Sequence, residues 1–294
     1  MAKKSRAALE GYPALKSSLL GTFDGVTDVA RHIINTKRAD GAGNSSETLP
    51  SGRDWDMNMN MNMALAFASD GGHWEAGANL LQAARVDIDR MQTRAPALER
   101  VRSVAGHSPC VPSFLAGIPQ AMWADAEPED FSTMRSKVLR IGVVASYSAF
   151  ATSENIQNRG AAVMSVVDGL EAEGFRVEVA AVIVAADDYT ADCYRWDVLI
   201  KQADQDWNPG RVAFALAHPA FNRRLAFAVK ERSQPAFKNT TQGGYNSIVA
   251  NRIDGSDYDI WLPRLCQEGC KQFDTRKTSA EQVVAMINSV KVAA

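Results

Sequence analysis

Four residues have the types and spacing of a divided zinc site. His107 and Cys110 make H-x2-C in "HSPC", and Cys266 and Cys270 make C-x3-C in "CQEGC". Together they would supply the tetrahedral nitrogen and sulfur set that suits Zn2+. The pairs are far apart in the chain, so such a metal would clip the N-terminal region onto the C-terminal one. The alternative is that these cysteines pack as small apolar groups. Asp187 and Asp188 offer adjacent carboxylates, either for a hard cation such as Mg2+ or simply as a solvated acidic turn. Arg223, Arg224, Lys230 and Arg232 form a basic cluster that could meet phosphate or an acidic protein face. The plainer expectation for it is a solvated helix face. Ser146, Tyr147, Ser148 and Phe150 share a polar segment. Its aromatics, if exposed, favour a protein interface; if packed onto the N-terminal helices, they do not.

Other chemistry lacks its motif. The sequence has no G-x-x-x-x-G-K-[ST], no G-x-G-x-x-G after a strand, no G-x-S-x-G and no H-E-x-x-H. Its four histidines, at 32, 73, 107 and 218, do not point to a triad. A formal charge of −2 and a pI near 6.1 leave no bulk-charge footprint for nucleic acid, although a local patch stays open. The longest apolar run, Val177 to Ala186, falls well short of the roughly 20 residues a membrane span needs. The N-terminal "MAKKSR" is not followed by an apolar signal segment. The expectation is a soluble, intracellular protein, or one packaged into a larger particle, without a membrane partner. Its four cysteines are expected to be reduced.

Two regions must position these groups. Residues 1–135 read as helical, with a long Gly/Ser-rich loop over 38–54. "SRAALEGYPALKSSLLGTF" and "DGVTDVARHIINTK" carry short helical patterns, and His73 to Gln92 a longer one. In "DWDMNMNMNMALAFAS", the spacing predicts irregular chain over 54–60 and a helix over 61–69. Gly71-Gly72 would then turn into the next helix, with methionines buried and asparagines in solvent. Residues 136–294 alternate differently. "VLRIGVVA" is a strand buried on both faces, "NRGAAVMSVVDGLEAEG" an amphipathic helix, and "FRVEVAAVIVA" a second buried strand. That is a βαβ unit with parallel strands. "YRWDVLIKQAD" reads as an edge strand returning beside its predecessor. "PGRVAFALAHPAFNRRLAFAVKERS" reads as two helical pieces parted at Pro219, "YDIWLPRL" as a strand at a sheet edge, and residues 279–294 as a closing helix. The whole implies a three-layer α/β domain with a mostly parallel sheet, preceded by a helical region. Ligands in such sheets bind beyond the carboxyl ends of the strands.

This order resembles a von Willebrand factor A domain, in the Rossmann-like class. That family carries D-x-S-x-S after its first strand, and the matching stretch here is "VASYS". Ser146 and Ser148 match the serines, while Val144 stands at the aspartate position. The resemblance therefore implies a degenerate domain whose Mg2+ ligand is lost, with Asp187 and Asp188 as possible substitutes. A second resemblance, to uncharacterised proteins of tailed bacteriophages and prophages, rests on "ALAFASDGGHWEAGANLL", "NRGAAVMSVVDGLEAEGFRVEV" and "LAHPAFNRRLAFAVKER". It implies a viral origin and no activity. The reading is a non-enzymatic interaction or assembly component that needs no cofactor. Its partner would be a virion component, further copies of itself or an ATPase. The alternative is a metal-dependent enzyme or nucleic-acid-processing factor using Asp187, Asp188 and the Arg223/Arg224 cluster.

Overall fold

The computed structural model describes residues 17–43, 45–80, 99–126, 138–147, 151–172, 175–186, 193–206, 208–233 and 255–263. In chain order the elements begin with β1 (Ser17–Phe23), α1 (Val26–Asn35), α2 (Ser45–Thr48), α3 (Arg53–Asp56) and α4 (Met61–Ser69). Then follow β2 (Glu99–Ser103), β3 (Ser108–Pro109), α5 (Val111–Leu115), β4 (Met122–Ala126) and β5 (Val138–Val144). The remainder are α6 (Ser153–Ala172), β6 (Arg176–Ala186), β7 (Cys193–Lys201), α7 (Pro209–Ala217), a π-helical turn (Phe221–Ala226), α8 (Phe227–Arg232) and β8 (Ile260–Leu262).

The central sheet has the order β1-β7-β6-β5-β8. β5 pairs in parallel with both β6 and β8, β7 runs antiparallel to β6, and β1 is parallel to β7. The fold is thus mixed α/β with a mostly parallel sheet. Period 2 assigns the faces. Leu139, Ile141 and Val143 of β5, with Val177, Val179, Ala181 and Ile183 of β6, point into the main core. There they meet α1, α4, α6, α7 and the π turn. Ala180, Val182 and Val184 point the other way, towards Tyr258. From Val179 to Ala185 both faces of β6 are buried, so the polar alternation of Arg176 and Glu178 gives way to a continuous apolar run. The described helices of the core cover one face. The expected closing helix over 279–294, which would supply a third layer, lies outside the described residues.

Three expectations are corrected here. The segment before residue 135 is not purely helical, because Ser17–Phe23 is a strand and β2, β4 and β3 form a separate three-stranded sheet. β7 is not an edge strand: β1 pairs along its outer side, from Ser17↔Cys193 to Phe23↔Val198. Residues 38–54 are not a free loop, since they contain α2 and the start of α3, both fastened to the π turn and α8.

The methionine tract divides where the sequence places the division. α4 begins at Met61, and the Asn60 side chain caps it by accepting from the Met63 amide at 3.0 Å. Asn58, Asn60 and Asn62 are all exposed. Met61 is buried and Met59 packs on the core, while the Met57 sulfur accepts from the Gln157 amide at 3.0 Å. Met63 turns outward, because the change from extended chain to helix ends the two-residue alternation. Arg53–Asp56 is a short helix rather than irregular chain, and Met57 and Asn58 follow it with φ of 55° and 62°.

Helices α6 and α7 approach closely at Gly160. A Cβ there would lie 2.6 Å from Ala217 Cβ and 2.7 Å from Leu216 O. Gly160→Ala must therefore push the helices apart, at a cost of about 1–3 kcal/mol. Urea unfolding measures this; an unchanged midpoint would rule out the tight crossing.

Candidate functional site

At the carboxyl edge of β5 the chain fills its own crevice. Ser146 is fully buried, and its hydroxyl donates to Val184 O at 3.3 Å. Tyr147 is 2% exposed and packs with Ala151 and Ile156, its phenol donating to Leu216 O at 3.3 Å. Burial holds that phenol above its usual pKa, against the opposing charges of Arg159 and Arg223. Tyr147 is therefore a neutral donor in the core and not an exposed interface aromatic. Arg159 of α6 reaches across the strand ends, donating to Val144 O at 3.0 Å, Leu262 O at 3.1 Å and Pro263 O at 2.7 Å. Ser148, Phe150, Asp187 and Asp188 lie outside the described residues.

The basic cluster is the largest correction. Arg223, Arg224 and Lys230 are each 1% exposed, so they form no solvated helix face. The guanidinium of Arg223 lies 4.2 Å from the centre of the Trp55 ring. It donates to Trp55 O and to Ala151 O, the latter at 2.7 Å. Arg224 holds the Asp56 carboxylate through Nη2 at 2.6 Å and Nε at 2.9 Å, and also donates to Ser46 O at 2.9 Å. Glu231 accepts from the Ser46 amide at 2.8 Å and from its hydroxyl. Lys230 lies over the Phe227 ring. Arg232 donates to Ile33 O at 2.9 Å and Thr36 O at 3.1 Å, tying down the end of α1.

These residues clamp the 45–56 strap onto the helical layer. Buried charges persist only when paired and hydrogen-bonded, and the strap supplies the partners. Asn222, within the same π turn, is fully buried with neither side-chain amide atom bonded among the described residues. One signal for burial was present in the sequence. From Val212 to Val229 the helical pieces are apolar on every side, so no polar face was left for their cations.

Two groups that could do acid–base or nucleophilic work, His218 and Cys110, are held in the interior. His218, between α7 and the π turn, accepts from the Ala220 amide through Nδ1 at 3.1 Å. Burial pulls its pKa down to about 4, so the ring is neutral near pH 7. Cys110 is buried, with its sulfur 3.1 Å from Ser113 Oγ, and His107 is exposed. Their expected partners, Cys266 and Cys270, lie outside the described residues. Among the described residues no three His, Cys, Asp or Glu side chains are grouped to hold a metal. The serine geometry does not fit the family's Mg2+ centre either, because Ser146 is turned to a backbone carbonyl and Val144 brings no charge. A cleft of about 100 Å3 lies beside the ends of β1 and β7, lined by Asp24, Gly25, Thr27, Gly71, Leu199 and Arg211. It is far smaller than the roughly 300 Å3 at which pockets begin to bury an organic ligand.

Among the described residues, half of the exposed large apolar side chains fall between residues 104 and 118, in α5 and the turns joined to the small sheet β2-β4-β3. Here β4 pairs antiparallel with β2, from Glu99↔Ala126 to Ser103↔Met122, and also with β3. Cys110, which precedes α5, and Ser113 within it are buried. Val111 (58% exposed), Phe114 (70%), Leu115 (79%) and Ile118 (41%) turn out. Val111, Phe114 and Leu115 lie on the one short helix, while Ile118 follows the turn at Gly117, whose φ is 69°; of residues 111–120 only Ser113 is buried. Among the described residues, none from this sheet belongs to the main core. Pro109, Pro112 and Pro119 interrupt the segment, so no helical periodicity could be read from it.

No helix among the described residues is long and apolar enough to cross a membrane. Residues 8–288 match the family DUF7192, described as a domain of unknown function. No curated protein and no solved structure matches the chain.

Proposed function

We infer that the chain, which belongs to the DUF7192 family, is a non-enzymatic bacteriophage component that works by binding protein. In this reading its α/β part is a degenerate A-type domain serving as a rigid scaffold, and it acts in assembly within the virion or the host cytoplasm. The observation that carries the reading is the exposure of Val111, Phe114, Leu115 and Ile118 within one short segment. Contiguous exposed apolar surface is costly in water and marks interaction sites. The carboxyl edge of β5, where a ligand or partner was expected, is occupied by the chain's own Tyr147, Arg159 and Arg223. The nucleic-acid alternative loses its main support, since Arg223, Arg224 and Lys230 are buried and Arg232 is tied to α1.

Phe114→Ser/Leu115→Ser in a tagged chain tests this in phage-producing cells. The expected result is at least a tenfold fall in co-purified phage protein, with thermal unfolding unchanged. Undiminished recovery would remove these side chains as the interaction site.

A further inference from the structure

We propose that one face of the small sheet β2-β4-β3 is a platform for single-stranded nucleic acid, with Trp123 stacking a base and Arg102 and Arg100 meeting the adjoining phosphates. The proposal goes beyond the protein-binding reading. It uses other residues, and neither depends on the other.

Strand register builds the platform. β4 is the middle strand, and its Trp123 pairs with Arg102 of β2 on one side and Ser108 of β3 on the other. Arg100 pairs with Asp125. Residues paired across antiparallel strands share a side, and period 2 keeps i and i+2 together. Arg100, Arg102, Ser108, Trp123 and Asp125 therefore share one face. Both arginines are exposed, and Trp123 is partly exposed. The guanidiniums of Arg100 and Arg102 lie 5.9 and 5.8 Å from the centre of the Trp123 ring. The backbone beneath the ring is held, since Trp123 O accepts from the His107 amide at 2.9 Å.

The chemistry of this face selects the partner. A protein interface needs an apolar centre, whereas this face carries one aromatic ring among charged and hydroxyl groups. A base needs only a π surface and a phosphate only a cation, and here the two are neighbours. Arg100 and Arg102 are two residues apart on a strand, hence about 6.5 Å, close to the separation of successive phosphates in an extended single strand. Asp125 faces Arg100 and offsets its charge, so Arg102, which faces the indole, is the stronger phosphate contact. A duplex hides the flat faces of its bases within the stack, so a stacking ring calls for a single strand.

Fluorescence anisotropy of a dye-labelled oligothymidylate of about ten nucleotides, titrated with the full chain, tests the proposal. The expected result is saturable binding that weakens about sevenfold between about 50 and 200 mM salt, the slope for two phosphates on a single strand. Trp123→Ala should weaken binding about tenfold or more. Trp123→Phe should keep most of the affinity, which separates a lost ring from a disturbed sheet. Arg102→Gln should roughly halve the salt slope. Arg176→Gln, the same change of charge at an exposed site on β6, should alter neither affinity nor slope. Absence of binding up to about 1 mM chain, or Trp123→Ala and Arg102→Gln variants that bind like the wild type, overturns the proposal. So does a duplex that binds as tightly as the single strand. An oligoglutamate of equal charge that competes as well as unlabelled oligothymidylate also overturns it, because the face would then read charge alone.

Discussion

Asp56→Ala is expected to remove about 3–5 kcal/mol of folding stability, because it breaks a buried ion pair from one side only. Asp56 is fully buried and Arg224 is 1% exposed. The carboxylate accepts two hydrogen bonds from Arg224, one from the Gly52 amide at 3.0 Å and one from the Ser51 hydroxyl at 2.7 Å. Alanine leaves the guanidinium buried with only Ser46 O and the Ser51 hydroxyl near it. The uncompensated charge then dominates the loss. Removing both charges is the control. Asp56→Leu with Arg224→Met should cost less than Asp56→Ala alone, since no lone ion stays in the core. Urea unfolding of the variants decides it. If Asp56→Ala falls within 1 kcal/mol of wild type, the strap is not held by this pair.

The second large effect is acid sensitivity centred on His218. Its ring is 2% exposed, packs edge-on to Trp74 with centroids 4.8 Å apart, and accepts the Ala220 amide through Nδ1. Protonation at that nitrogen would destroy the hydrogen bond and bury a charge. Burial lowers the pKa from 6.5 to about 4, only partly opposed by the Asp56 charge. The folded value lies below the unfolded one, so the unfolded chain takes up the proton first as pH falls. Stability is therefore full above about pH 6.5 and declines towards pH 4, by about 3 kcal/mol. His218→Asn retains an acceptor for the Ala220 amide and does not titrate. Unfolding free energies at pH 7, 5.5 and 4.5 should fall more steeply for the wild type than for this variant. Parallel slopes would show that His218 does not set the acid limit.

The parts legible in the sequence are those whose partners lie close along the chain. β5, α6 and β6 form a local βαβ unit, and its strands and helix appear where expected, although α6 begins at Ser153 and is buried on nearly every side instead of amphipathic. The break at Pro219 is also local: His218 takes the extended backbone that a following proline favours. What was missed depends on distant partners. "SSLLGTF" lacks the β-branched pattern of a strand and becomes one only by pairing with β7. Ser46, Ser51 and Asp56 look like loop chemistry until Arg224 and Glu231 meet them. Arg223 and Arg224 look like surface charge for the same reason. The exposed apolar side chains of residues 111–118 failed to show for a different reason: three prolines interrupt the segment, and apolar type alone does not say whether a side chain looks inward.

The pairing of β1 with β7 also dictates a schedule. During synthesis Ser17–Phe23 leaves the ribosome long before Cys193–Lys201, at a delay of about 10–35 s for ordinary rates of translation. Ser46 and Glu231 are separated by 185 positions and wait longer still. The β5-α6-β6 unit can therefore assemble while the leucine-bearing N-terminal strand and the serine-rich strap have nothing to bind. Completion of the molecule is a late, long-range closure, and nascent chains halted before residue 193 should be the ones that chaperones hold.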